Sequence, residues 1–86
     1  MNDLLNTLKN DRRLQILEII AREHCSIAQI QKELRRSGFN HSQQTISGEY
    51  MKPLITVGIA DEHQNSYYAT LLGQKISDLT RDFHDL

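Results

Sequence analysis

Apolar residues recur along the first quarter of the chain in two stripes. Leu4, Leu5 and Leu8 form a short one. Leu14, Leu17, Ile20 and Ala21 form a longer one at helical spacing, while Ile16 and Ile19 add a second apolar face. A helix over this stretch is expected to be buried on two sides. Asn10-Asp11 stands between the stripes and has the chemistry to cap a new helix there.

A second helix begins at Ser26-Ile27-Ala28-Gln29, which reads as a capping box, and buries Ile27, Ile30 and Leu34 before Gly38 ends it. Lys32, Arg35 and Arg36 lie off its apolar stripe. A third helix starts at Ser42. Ile46, Tyr50 and Leu54, spaced by four, predict its inward face, which leaves Gln43, Gln44, Ser47, Gly48 and Met51 outward. Pro53 removes a backbone donor near its end, and Gly58 is the expected stop. Two short runs, Ile59–His63 and Ser66–Ala69, flank Gln64-Asn65 as a hairpin whose turn type the residues leave open. Thr70 then caps a last helix, in which Leu72, Ile76, Leu79, Phe83 and Leu86 step by 4, 3, 4 and 3. That spacing is an a/d seam suited to pairing.

The order is helix, helix, helix, hairpin, helix. Two short helices joined through a glycine-containing turn make a helix-turn-helix over about residues 26–54, the hairpin at about 59–69 makes a wing, and residues 71–86 form a C-terminal dimerisation helix. The expected fold class is α+β, mainly helical: a winged helix-turn-helix with a three-helix core, all 86 residues forming one domain.

Four pieces of sequence carry a resemblance. Ser26-Ile27-Ala28-Gln29-Ile30, then Thr45-Ile46-Ser47, then Leu54 to Gly58-Ile59, then Tyr67-Tyr68-Ala69-Thr70 through Gly73 to Ile76 resemble the winged helix-turn-helix of ArsR- and MarR-type regulators. The resemblance covers about residues 10–80. It implies a double-stranded DNA-binding transcription regulator. The chain departs from the pattern where Gly48-Glu49 replaces an Arg-His pair, and in an interval from Thr45 to Gly58 that is one residue longer. The wing carries Glu62 and His63 in place of basic residues.

Charge adds modestly to this picture. The formal net charge is −1. Residues 25–58 nevertheless carry four cations (Lys32, Arg35, Arg36, Lys52) against Glu33 and Glu49, whereas residues 59–86 carry two against five anions. No apolar run approaches the roughly 20 residues that span a bilayer, and the lone Cys25 suits a reducing compartment. A cytoplasmic protein without a membrane partner is expected.

The recognition helix, about residues 42–53, supplies the candidates for reading base edges: Gln43, Gln44 and Ser47, glutamine being able to pair with adenine in a bidentate way. Ser42, Thr45, Lys52, Arg35 and Arg36 are candidates for phosphate or positioning contacts. Leu4, Leu8, Leu72, Ile76, Leu79 and Phe83 are the candidate homodimer interface. No catalytic set, metal-ligand spacing or phosphate loop emerges, so neither an enzyme nor a cofactor or metal site is expected. The alternative function is a winged helix used as a protein–protein module of a larger assembly.

Overall fold

The computed structural model describes residues 2–84, with side chains from Leu4 to Thr80. Five helices and one hairpin follow in order. The first apolar segment is broken as its cap residues predict. Helix α1 runs Asn2–Leu8 and α2 runs Asp11–Arg22, and the Asn10 side chain between them accepts from the amides of Arg12 (2.9 Å) and Arg13 (3.0 Å). Helix α2 is the central strut. Ile16, Leu17, Ile19 and Ile20 are all buried on it, two faces being occupied at once.

Helix α3, Ile27–Arg36, carries the complete capping box: Gln29 N–H donates to Ser26 Oγ (3.2 Å) and Ser26 N–H to Gln29 Oε1 (2.7 Å). Its stop is local too. Gly38 adopts φ +89°, which lets Phe39 N–H reach back to the Leu34 carbonyl at 2.9 Å.

Helix α4 occupies residues 43–56, capped by Ser42 and ended by Gly58 (φ +83°) with Ile59 N–H on the Leu54 carbonyl. Its middle, Ile46–Met51, is a π-helix between two α-helical ends, Gln43–Thr45 and Lys52–Thr56. A π-turn takes up an additional residue, which accommodates the long Thr45–Gly58 interval. It also changes which side chains face inward. Ile46, Met51 and Leu54 are fully buried, while Tyr50 is half-buried with its ring edge-on to His41. The spacing of four that turned Tyr50 inward and Met51 outward assumed an unbroken α-helix. In the wider turn the inward position comes five residues after Ile46.

The hairpin pairs β1, Ala60–His63, with β2, Ser66–Ala69, antiparallel. Gln64 (φ 51°) and Asn65 (φ 65°) are both left-handed, as a primed two-residue turn requires. Cys25 extends this small sheet on the far side of β2 through two mutual backbone bonds with Tyr67, 2.7 and 3.0 Å long.

Helix α5, Leu71–His84, packs across α2 and the hairpin. Gln74 Nε2 donates to the Ala21 carbonyl at 2.8 Å. Ile76 packs on the core and Ser77 is buried. The expected seam is thereby divided: Ile76 faces the chain's own core, whereas Leu72 and Leu79 are exposed, Leu79 to 63%. A seam with steps of 4 and 3 is read as one stripe only when nothing within the domain claims part of it. Phe83, by its side chain, and Leu86 lie outside the described residues. No helix among the described residues is long and apolar enough to cross a membrane.

Candidate nucleic-acid interface

The outward face of α4 is polar throughout. Gln43, Gln44, Ser47, Gly48, Glu49, Lys52 and Thr56 are exposed. Gln43, Gln44, Ser47 and Gly48 line one side of an open groove of about 410 Å³, with Ile27 and Tyr67 opposite. The first turn of α4 is held from α3 by one side chain. Gln31 Nε2 donates to the His41 carbonyl at 2.9 Å, and Gln31 Oε1 accepts from Gln43 Nε2 at 3.3 Å. The Gln43 amide is therefore oriented before any partner arrives. Ser42 and Thr45 are occupied in the cap: Thr45 N–H donates to Ser42 Oγ (3.1 Å), and Ser42 Oγ–H to Thr45 Oγ1 (3.0 Å).

The cations expected to accompany this face are distributed around it. Arg35 and Arg36 are exposed at the end of α3. Arg36 pairs with Glu33 at 3.2 Å and lines a cleft of about 330 Å³ with Ile19, Glu23 and Cys25, away from the α4 groove. Lys52 lines a different cleft, of about 380 Å³, between α4 and α1.

One residue that the sequence pattern did not single out belongs to this second cleft. Pro53, in the last part of α4, contributes no backbone N–H to the helix. Arg13 on α2 reaches this part of α4, its Nε–H donating to the Glu49 carbonyl at 3.2 Å. The neighbouring Arg12 is engaged elsewhere, with its guanidinium 3.2 Å above the Phe39 ring centroid and bonded to Gln15. Pro53 was the available signal: a proline inside a helix removes one internal donor, which leaves room for a donor from another element.

Cys25 is buried, and its Sγ–H donates to the Glu23 carbonyl at 3.4 Å. Burial pushes the thiol pKa up, and Glu23 and Glu33 push it further against the opposing Arg22. The group is thereby held as the neutral thiol, a packing residue. Among the described residues, no three His, Cys, Asp or Glu side chains gather as a metal site would need.

Comparisons with known proteins agree with this architecture. The family model described as FokI, D3 domain, matches residues 4–66. The solved structure of reduced HlyU from Vibrio cholerae superposes with a TM-score of 0.72 at 22% sequence identity, over 94% of this chain and 84% of that one. At that identity the likeness is one of fold, and it establishes the winged helix. No curated protein sequence matches the chain.

Proposed function

The chain belongs to the family of the FokI D3 domain, and from that membership, the winged-helix fold and the polar face of α4 we propose that it is a double-stranded DNA-binding regulator of transcription. The observation that carries this reading is the strip Gln43, Gln44, Ser47, Gly48 lying exposed along one groove. A major groove about 12 Å wide admits such a helix, and glutamine amides, that of Gln43 being oriented by Gln31, match the paired donor and acceptor of adenine. The protein works by binding and has no catalytic step. The resemblance to ArsR- and MarR-type regulators supports the regulatory role and a cytoplasmic location.

The test is a fluorescence-anisotropy titration with mixed genomic duplexes at about 50 and 200 mM salt. Affinity falls steeply with salt if several phosphates are contacted. Gln43→Ala and Gln44→Ala each reduce discrimination between sequences by roughly 1–3 kcal/mol, while Arg35→Ala weakens all sequences alike. Absence of binding at the lower salt removes the DNA reading. It would leave the protein–protein module, which the acidic wing and the exposed leucines of α5 favour.

The regulator acts as a homodimer in this proposal. Leu72 and Leu79 on α5 and Leu5 on α1 are exposed, each an apolar side chain that a second copy would cover. Leu4 and Leu8 on α1, like Ile76, already pack on the core and would support the interface from behind. Two half-sites one DNA turn apart are separated by about 34–36 Å. The domain measures 29 × 26 × 21 Å, shorter than that spacing along every axis, so two copies fit side by side without overlap. Leu79→Glu is expected to convert the dimer to a monomer in sedimentation velocity. A dimer that survives it forms through another surface.

A further inference from the structure

We propose that the cleft between α1 and α4 is a second seat for the duplex, in which Arg13 and Lys52 together hold a phosphate of the DNA backbone. The inference rests on the DNA-binding reading and adds a residue from outside the helix-turn-helix to it. Its first ground is placement. The cleft lies on the opposite flank of α4 from the groove lined by Gln43 and Gln44, and Gly48 lines both, so the two meet along one crest of the helix. A duplex laid on that crest reaches both flanks.

The second ground is the state of the two cations. Arg13 is tethered through its Nε–H to the Glu49 carbonyl at 3.2 Å. A guanidinium has five N–H donors in a rigid fork, so the tether fixes the plane and leaves the Nη donors for another acceptor. Arg13 is half-buried and has no carboxylate within ion-pair distance among the described residues; neither has Lys52, which stands exposed on the same cleft. Arg36, by contrast, is paired with Glu33. Two cations, one of them pre-oriented, converge on a space of about 380 Å³ that also carries the polar side chains of Asn6 and Thr56. Tetrahedral phosphate offers the charge and the several acceptors that such a set would satisfy.

The test is anisotropy titration of the full chain on the duplex bound best in the screen above, repeated across salt concentrations. Arg13→Gln is expected to weaken binding roughly three- to tenfold on all sequences alike and to lower the slope of log affinity against log salt by about one. Lys52→Gln, a change at an exposed side chain, is expected to do the same, and it carries the test if Arg13→Gln does not fold. Arg13→Lys keeps the charge without the fork and is expected to restore the slope while melting at a lower temperature. A purely structural Arg13 would lower the melting temperature and leave the salt slope at its wild-type value. That result, or wild-type slopes in both glutamine variants, overturns the proposal while wild-type binding stands. Failure of the wild-type chain to bind any duplex overturns the DNA-binding reading itself.

Discussion

Gly73→Ala should lower the melting temperature by roughly 12–24 °C, or prevent folding. A Cβ built on Gly73 lies 1.9 Å from the Ile59 carbonyl oxygen, 3.0 Å from its carbon and 3.3 Å from the Ala69 Cβ. The obstacle is backbone, and it is pinned from several directions. Ile59 is fully buried, its N–H is spent on the Leu54 carbonyl, and its oxygen accepts from Thr70 N–H at 3.1 Å. Thr70 in turn caps α5, accepting from Gly73 N–H at 3.2 Å and donating through its hydroxyl to the Gly58 carbonyl at 2.7 Å. The first turn of α5 is thus wedged against the end of α4 and the start of β1, with no methyl-sized gap. Displacing a packed helix by an ångström or more costs on the order of 3 kcal/mol. Each kilocalorie shifts the midpoint of a domain this size by roughly 4–8 °C. Thermal unfolding followed by far-ultraviolet circular dichroism reads the effect directly. A midpoint within about 3 °C of wild type would mean that the close approach of α5 is not as described.

Gly48→Ala should act with opposite signs on stability and on binding. Gly48 sits in the middle of α4, has an ordinary helical φ, and a Cβ there would meet nothing within 4 Å. Nothing in the packing calls for glycine, yet glycine in a helix interior costs about 0.5–1 kcal/mol relative to alanine. The substitution is therefore expected to raise the melting temperature by roughly 2–8 °C. At the same time the new methyl group stands on the crest shared by the two clefts, where the proposed duplex comes nearest to the helix backbone. A loss of about tenfold in affinity is expected, equivalent to some 1.4 kcal/mol of lost close contact. Melting and anisotropy on the same preparation separate the possibilities. A lower midpoint would show that glycine is needed to form the π-turn. A higher midpoint with unchanged affinity would show that no partner approaches here.

The features legible in the sequence are those settled by near neighbours. Ser26 with Gln29, Ser42, Asn10, Gly38 and Gly58 each do their work within a turn of the chain, so residue type at that position is enough to place a helix end. The hairpin is legible from its two strand-like runs, although Gln64-Asn65 enters the left-handed region without the glycine that usually announces it. What escaped the pattern depends on distant partners. Met51 replaced Tyr50 in the core because α4 widens into a π-turn, in a stretch that Arg13, 36 residues earlier in the chain, contacts from α2. Ile76 was drawn from the seam by α2 and the hairpin. Cys25 has no strand-like neighbours at all; it becomes part of the sheet because Tyr67 is brought against it. Gln43, Gln44 and Ser47 are exposed on α4 as their spacing predicts, while the cations expected beside them lie at the end of α3 and in the cleft against α1.

The wing also has a bearing on how the protein behaves in concentrated solution. With β2 flanked by β1 on one side and by Cys25 on the other, the outer edge of β1 is the open edge of the sheet. Open edges invite strands of other molecules to pair with them and seed aggregates. This one bears Asp61 and Glu62, both exposed. An antiparallel copy of the same strand would bring carboxylates close to carboxylates, a destabilising arrangement. The acidity that makes the wing a poor match for a phosphate backbone is thus a safeguard against self-association through the sheet, and neutralising it would be expected to lower solubility.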